Sequence, residues 1–551
     1  MKASLRLFLL IVFFGFTSSF AQEAPENKWG NLTGNAGIDA QYYNRDDKIN
    51  APLVPDKFRM NSFLFLTYQK GGFSAAARYE AYLPKPLLGI DQNWTGQGIM
   101  FRYAAYRYKG LEVTAGSFYE QFGNGLILRS YEARALGFDN FIDGVRVKFG
   151  AGGFYVKGIF GKKRNFFGLS PGVVRGADLE INFSEVFPRL QKTKFNLIIG
   201  GSFLSKYQEG SEKIIGNEIL QIPENVGSGA GRIQMSIGKF SMNTELAYKA
   251  NDPSAMNKYI YKPGTAFLTT FNFSTTNFGA SLGLKRIDNF DFRTDREENG
   301  NKQLVNFIPM LNRQHTYTLA ATIYPYAVQN MGENGIQSEI NFTVPRGSKL
   351  GGKYGIDVSI NFSAVWGLDT SGTVDRYGYK SKILGVGNMF YRDFNVELSK
   401  KFSKKFKLNL MYMNLYEDLN VIPVSTLGKD PFVNANIGVI DFSWRINTDH
   451  ALRFEFQTLY TKQDQGSWFM NLIEYTVAPN WFVSVMNQFN FGHPVVEKRL
   501  HYPMVAAGYN MGNHRFQISY GRQRAGVLCI GGVCRAVPAA NGLMFSYVGS
   551  F

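Results

Sequence analysis

The chain has 551 residues, 45% hydrophobic and 15% aromatic, with 58 Gly against 19 Pro and a formal net charge of +17. Beyond residue 21 no run of about 18 apolar residues occurs, which excludes a helical membrane protein; the mean hydropathy of -0.18 agrees. No linker, low-complexity tract or composition shift marks the several domains that a soluble chain of this length would need, and the Gly-rich, aromatic texture suits one large closed sheet of strands and tight turns.

Residues 1–21 read as a secretory signal. Lys2 and Arg6 form a positive start, Leu7 to Phe16 an apolar stretch too short to span a bilayer, and Ser19, Phe20 and Ala21 a small-x-small cleavage site before Gln22. No Cys lies there, so lipoprotein processing is not expected. Residues 22–551 are then one exported domain. Export argues against nucleic acid as the partner of the positive charge. It leaves an anionic surface or solute, such as lipopolysaccharide phosphate, acidic glycan or small anion, or a dispersed excess without a role.

From about residue 32 apolar and polar residues alternate. Val145, Val147 and Phe149 oppose Arg146 and Lys148. Phe406, Leu408, Leu410 and Tyr412 oppose Lys405, Lys407 and Asn409. Leu452, Phe454, Phe456, Thr458 and Tyr460 oppose Arg453, Glu455 and Gln457, and Trp481, Val483, Val485 and Phe489 share a face. Period-2 patterning means strands with one apolar face. Runs of about 10–12 residues exceed the usual soluble strand and match a tilted crossing of an outer membrane. Short turn signals (71–72, 109–110, 151–153, 478–480, 511–513) alternate with long connections (44–56, 84–97, 123–143, 206–228, 416–433, 524–541), the habit of membrane barrels. Counting from both ends predicts about 24–26 strands. The two counts meet only if 302–310 is also a strand, against which Pro309 stands.

The segment 115–148 is the most distinctive. After Gly123 and Gly125 come Arg129, Glu132, Arg134, Asp139 and Asp143, mixed with Leu126, Ile127, Leu128, Leu136 and Phe138, before Arg146. A solvated loop has no need of so much apolar surface. The segment is predicted to fold into the barrel mouth or lumen as a plug or constriction, its charges paired with wall residues such as Arg78 and Arg146. Arg129 and Arg134 are the expected ion-pairing residues, since buried guanidinium groups demand partners.

The acidic stretch Asp288, Asp291, Asp295, Glu297 and Glu298 contains Arg293 and Arg296. It fits no EF-hand spacing and reads as a solvated loop, with no metal site expected. Five histidines form no zinc motif, and no Gly-x-Ser-x-Gly elbow or phosphate loop is present, so neither catalytic residues nor a cofactor are expected. Cys529 and Cys534 flank Gly531 and Gly532, with Arg522, Arg524 and Arg535 nearby. In an exported chain they are expected to pair across a small hairpin, a stapled loop or a knob for a partner or glycan; Cys-x4-Cys is not redox spacing.

The last residues place Leu543, Phe545, Tyr547, Gly549 and Phe551 on one face. This resembles the terminal strand of bacterial outer-membrane barrels. Phe545, Tyr547 and Phe551 would then be the assembly signal, with outer-membrane lipid and the barrel-assembly machinery as partners. The strings Tyr119 to Arg129, Asp139 to Arg146, Gly521 to Gly526 and Cys534 to Pro538 resemble a family of exported Bacteroidota barrel proteins without assigned chemistry. A fainter likeness is to the subunit that plugs the periplasmic mouth of the type IX secretion translocon; no motif carries it and no residue transfers. The expected protein is an all-β, large antiparallel transmembrane-type barrel with a loop filling part of a basic lumen. It would sit in the cell outer membrane and act in solute passage or envelope structure. The alternative is a periplasmic interaction subunit bound to the translocon barrel.

Overall fold

Alternation along the chain becomes a wall of antiparallel hairpins in the computed structural model, which describes residues 28–551 except 211, 216–217, 376–377, 422–430 and 532. The secretory signal expected at residues 1–21 lies outside the described residues. Twenty-four strands form one sheet, from Asn31–Asn44 to Ala540–Ser550. These two end strands pair with each other, Tyr42 opposite Leu543 and Ile38 opposite Tyr547. The sheet is therefore a closed barrel with no free edge. The seam continues past the last strand: Gly34 and Phe551 exchange backbone hydrogen bonds of 2.8 and 2.9 Å. The outer edge of the Phe551 ring closes on Gly34, where a Cβ would fall 2.3 Å from it. Only glycine admits that approach.

The two ends differ. At one, turns such as Gly71-Gly72, Lys109-Gly110 and Gly512-Asn513 join the strands. At the other lie 45–57, 84–95, 119–141, 208–224, 250–263, 289–331 and 524–539. The short and long connections named from the sequence alternate between the two ends as expected, except that 422–430 of the connection 416–433 lie outside the described residues. The expected strand at 302–310 does not exist. It belongs to the connection 289–331, whose only ladder-like feature among the described residues is the bridge between Arg293 and Leu304. Pro309 and the lack of alternation keep it out of the wall.

The apolar faces point outward. Val145, Val147 and Phe149 are exposed, as are Phe406, Leu410 and Tyr412, Phe456 and Tyr460, and Trp481, Val483 and Val485. Their opposite faces point into the lumen, where two apolar cores form. One joins Phe122, Leu126, Ile127 and Leu128 to Phe290, Phe292, Val305 and Ile308 against wall residues such as Val174, Leu204 and Ala266. The other joins Leu319, Ala320, Tyr324 and Tyr326 to Met411, Met413, Ile437 and Trp468. A single connection, 289–331, thus contributes to both, and bridges the lumen from wall to wall.

Candidate functional site

Four lysines fasten this plug. Lys163, Lys206, Lys249 and Lys285 lie toward the long-loop ends of Phe154–Asn165, Phe195–Tyr207, Phe240–Lys249 and Phe278–Asp288, each two strands from the next. All four are buried. A buried ammonium must find partners. Lys163 donates to the Leu304 carbonyl. Lys206 donates to both oxygens of Asp252 at 2.8 and 2.6 Å. Lys249 donates to the Asp291 carbonyl at 2.7 Å. Lys285 donates to the Pro309 carbonyl at 2.8 Å and pairs with Glu333. Three of the four therefore grip backbone of 289–331, and the fourth grips the neighbouring loop. Arg296 completes that clamp on Asp252 at 3.0 Å.

The loop 119–141 enters as its sequence suggests. Leu126, Ile127 and Leu128 are fully buried. Asp139 pairs with Arg78, and with Arg164 at 2.7 Å, and takes a hydrogen bond from the Tyr119 hydroxyl at 2.9 Å. Arg164 also pairs with Glu80 at 2.6 Å, and Glu132 lies 3.2 Å from Arg78. Arg146 pairs with Glu112 at 2.8 Å and approaches Glu120 at 3.6 Å. Asp143 faces Arg102 at 3.3 Å, outside this network. Burial pushes the Glu120 carboxyl up, but Lys148 and Lys157 outweigh it and hold it below its ordinary value.

The two arginines singled out from the sequence behave otherwise. Arg129 makes no ion pair among the described residues; its guanidinium lies 4.0 Å from the Phe307 ring centre and 4.7 Å from that of Tyr131. Arg134 is exposed and pairs only locally, with Glu132 at 2.6 Å. The buried guanidinium groups that meet the loop's charges are instead those of Arg78 and Arg164, both on wall strands outside the segment.

The stretch 288–298 is not a solvated loop. Asp288, Asp291, Arg293 and Arg296 are buried, with Arg293 held by Asp291 at 2.6 Å. Only its tip reaches solvent, where Glu297 meets Lys213 and Tyr259. Arg293 is the partner that lets Asp291 be buried; Asp288 is met by Lys262 at 3.2 Å, and Arg296 turns to Asp252.

The rest of 289–331 was missed from the sequence. Arg313 donates to Ser359 at 2.6 Å and Glu397 at 2.7 Å, His315 meets Asp393 at 2.6 Å, and the Leu319 amide donates to Gln457 at 2.8 Å. The usable signal was length. A 43-residue connection rich in Tyr and Leu is too long and too apolar for a surface loop. Above the plug sits the hairpin Gly526–Ile530 and Val533–Val537, where Cys529 and Cys534 face each other and are bonded. It is no free knob. Asn301 donates to the Cys534 carbonyl at 2.7 Å, Arg535 to the Ala135 carbonyl at 2.8 Å, and Arg524 to Thr322.

The long-loop end is thus packed. The short-turn end instead opens into a cavity of about 620 Å³. Asn341, Ser359, Glu397 and Asn409 line it, with Thr316 and Tyr317 of the plug among its walls. Residues Phe545, Tyr547 and Phe551 stand on or beside the closing strand, with Phe545 and Phe551 exposed on the outer face. No clustered metal-ligating group occurs among the described residues.

The model of a family of unknown function, DUF6029, matches residues 1–551. No curated protein matches the sequence. Among solved structures, a mutant of the ferric enterobactin receptor PfeA from Pseudomonas aeruginosa overlaps 95% of this chain and 81% of its own, at 10% identity and TM-score 0.42. OccK5 (OpdH) of the same species overlaps 70% and 92% at 12% identity and TM-score 0.35. A BenF-like porin from Pseudomonas fluorescens Pf-5 overlaps 95% and 99% at 8% identity and TM-score 0.31. Overlaps this loose add nothing to the strand pairing, on which the barrel stands.

Proposed function

Since the chain belongs to DUF6029, a family of unknown function, its role is argued from its own geometry, and we propose a non-enzymatic outer-membrane barrel that serves solute passage from a shut state. The observation that carries this is the pairing of an outward apolar wall with a lumen packed at one end and open at the other. Exposed faces such as Val145, Val147 and Phe149, or Trp481, Val483 and Val485, belong in lipid, because no soluble protein leaves such surface uncovered. Short turns then lie in the periplasm and long loops outside. The cap of 119–141, 289–331 and 524–539 closes the outer mouth, and the cavity of about 620 Å³ faces the periplasm. The net charge of +17 supports an anionic solute.

The test is biochemical. The mature protein should remain with outer membranes after a carbonate wash and migrate differently in gels with and without heating. Reconstituted in planar bilayers, the wild type should conduct little. Recovery as a soluble periplasmic protein would sink this reading and favour an interaction subunit of the secretion translocon.

A further inference from the structure

We infer that the outer cap holds a binding pocket for a sugar acid, a ring-sized solute with one carboxylate and several hydroxyls. This rests on the barrel reading, which puts that mouth outside the cell. The pocket encloses about 230 Å³. That is below the range of about 300–1,000 Å³ usual for drug-sized ligands and suits about one sugar ring.

Five chain segments far apart in sequence build it, and cross-links fix all five to one another. Lys302 meets Asp91 at 3.0 Å, joining 289–331 to 84–95. Asn301 donates to the Cys534 carbonyl at 2.7 Å, and Arg535 donates to the Ala135 carbonyl at 2.8 Å. The Gln303 amide donates to the Arg164 carbonyl at 3.1 Å. A pocket so braced is formed before any ligand arrives, so little ordering cost falls on binding.

Its chemistry has three parts. Trp94, Phe138 and Phe166 give aromatic surface, with Trp94 and Phe166 ring centres 5.5 Å apart at 81°. Such rings suit the apolar face of a sugar. Arg535 is the charge. Among the described residues it has no carboxylate partner, and its Nη1 is buried without a hydrogen bond. The other cations lining the pocket are already paired, Arg164 with Glu80 and Asp139, and Lys302 with Asp91. Burial lowers the Arg535 pKa, which is what a guanidinium short of counter-charge shows. A ligand carboxylate would supply the missing charge through Nη2, the guanidinium nitrogen that neither donates to Ala135 nor is covered. Asn301, having donated its Nδ2 to the chain, keeps Oδ1 as an acceptor for a hydroxyl.

The experiment is calorimetric titration of the full mature protein in detergent with galacturonate, tetragalacturonate and galactose. Galacturonate should bind saturably, and galactose at least about tenfold more weakly, since it lacks the charge-assisted bond. Arg535→Gln should weaken galacturonate by about tenfold or more, and Lys302→Gln by less, because Lys302 is shared with Asp91. Tighter binding of the tetramer assigns the pocket to the end of an acidic glycan; equal binding assigns it to a free sugar acid. Absence of saturable binding by both acids overturns the inference. So does galacturonate binding that both substitutions leave within about twofold. Heat-modifiability read on the same samples reports separately on the barrel reading and on the folding of each variant.

Discussion

Arg164 shows how charge is tolerated inside this wall. Its side chain is fully buried, yet it meets Glu80 at 2.6 Å and Asp139 at 2.7 Å. Removing Arg164 leaves Glu80 and Asp139 buried with Arg78 alone to share, which costs up to about 3–5 kcal/mol. Arg164→Met should therefore destabilise the folded barrel by that amount in urea titrations from vesicles, despite keeping an apolar side chain of similar length. Asp252 gives a pH prediction. Burial raises its pKa, but Lys206, Lys249 and Arg296 outweigh that and hold it below its ordinary value of 3.8. A carboxyl depressed in the folded state contributes stability that is present above the ordinary value and lost as pH falls through the folded one. The clamp on loop 250–263 should thus be unaffected by acidification to about pH 5 and loosen only below about pH 4. Protease sensitivity of that loop across the range is the check. Which arginine would be buried was not legible in the sequence. Arg129 and Arg134 sit among apolar residues, but one rests on aromatic rings and the other faces solvent. Burial of Arg164 depends on Glu80 of the strand Phe73–Leu83 and on Asp139 of the loop 119–141, which local pattern does not report.

At the scale of elements, period 2 made the strands readable. A face such as Leu452, Phe454 and Phe456 can satisfy lipid on one side and a polar lumen on the other only as a strand. The plug obeys no such period, because its residues pack on all sides in an irregular interior. That is why 302–310 could be weighed as a further strand only against Pro309, and why residues 317–326 passed unnoticed until the fold brought Leu319 onto Gln457 and Tyr326 onto Tyr391. The disulfide hairpin was legible from spacing and compartment; its docking onto Ala135, Asn301 and Thr322 was not. Closing so small a loop is worth about 2 kcal/mol on chain entropy. Changing both Cys529 and Cys534 to Ser should leave the barrel assembled and heat-modifiable. It should speed cleavage of 524–539 by added protease, because a looser hairpin opens more often. Cleavage no faster than in the wild type would show that docking alone holds the hairpin.

For the whole molecule, the arrangement of two cores decides what a deletion does. Loop 119–141 fills one side of the lumen with Leu126, Ile127 and Leu128, while residues 319–326 fill the other. Removing 126–138 takes away one side of the packing and the Asp139 contacts beside it, but leaves the second core and the lysine-held backbone of 289–331 in place. That variant should therefore show a small conductance in planar bilayers. Removing 313–326 alone should act similarly from the opposite wall. Removing both should open a wide pore with a conductance well above the sum of the two, since each core alone still bridges part of the bore. The residual wall on the first side carries Lys163, Lys206, Lys249 and Lys285, of which Lys163 and Lys249 hold neutral carbonyls rather than carboxylates, so the open pore should prefer anions. Reversal potentials in a salt gradient measure that preference. If the double deletion conducts no more than the single ones, something other than these two cores obstructs the lumen. If it also releases another envelope protein from the barrel, the cap is better read as a docking surface than as a gate.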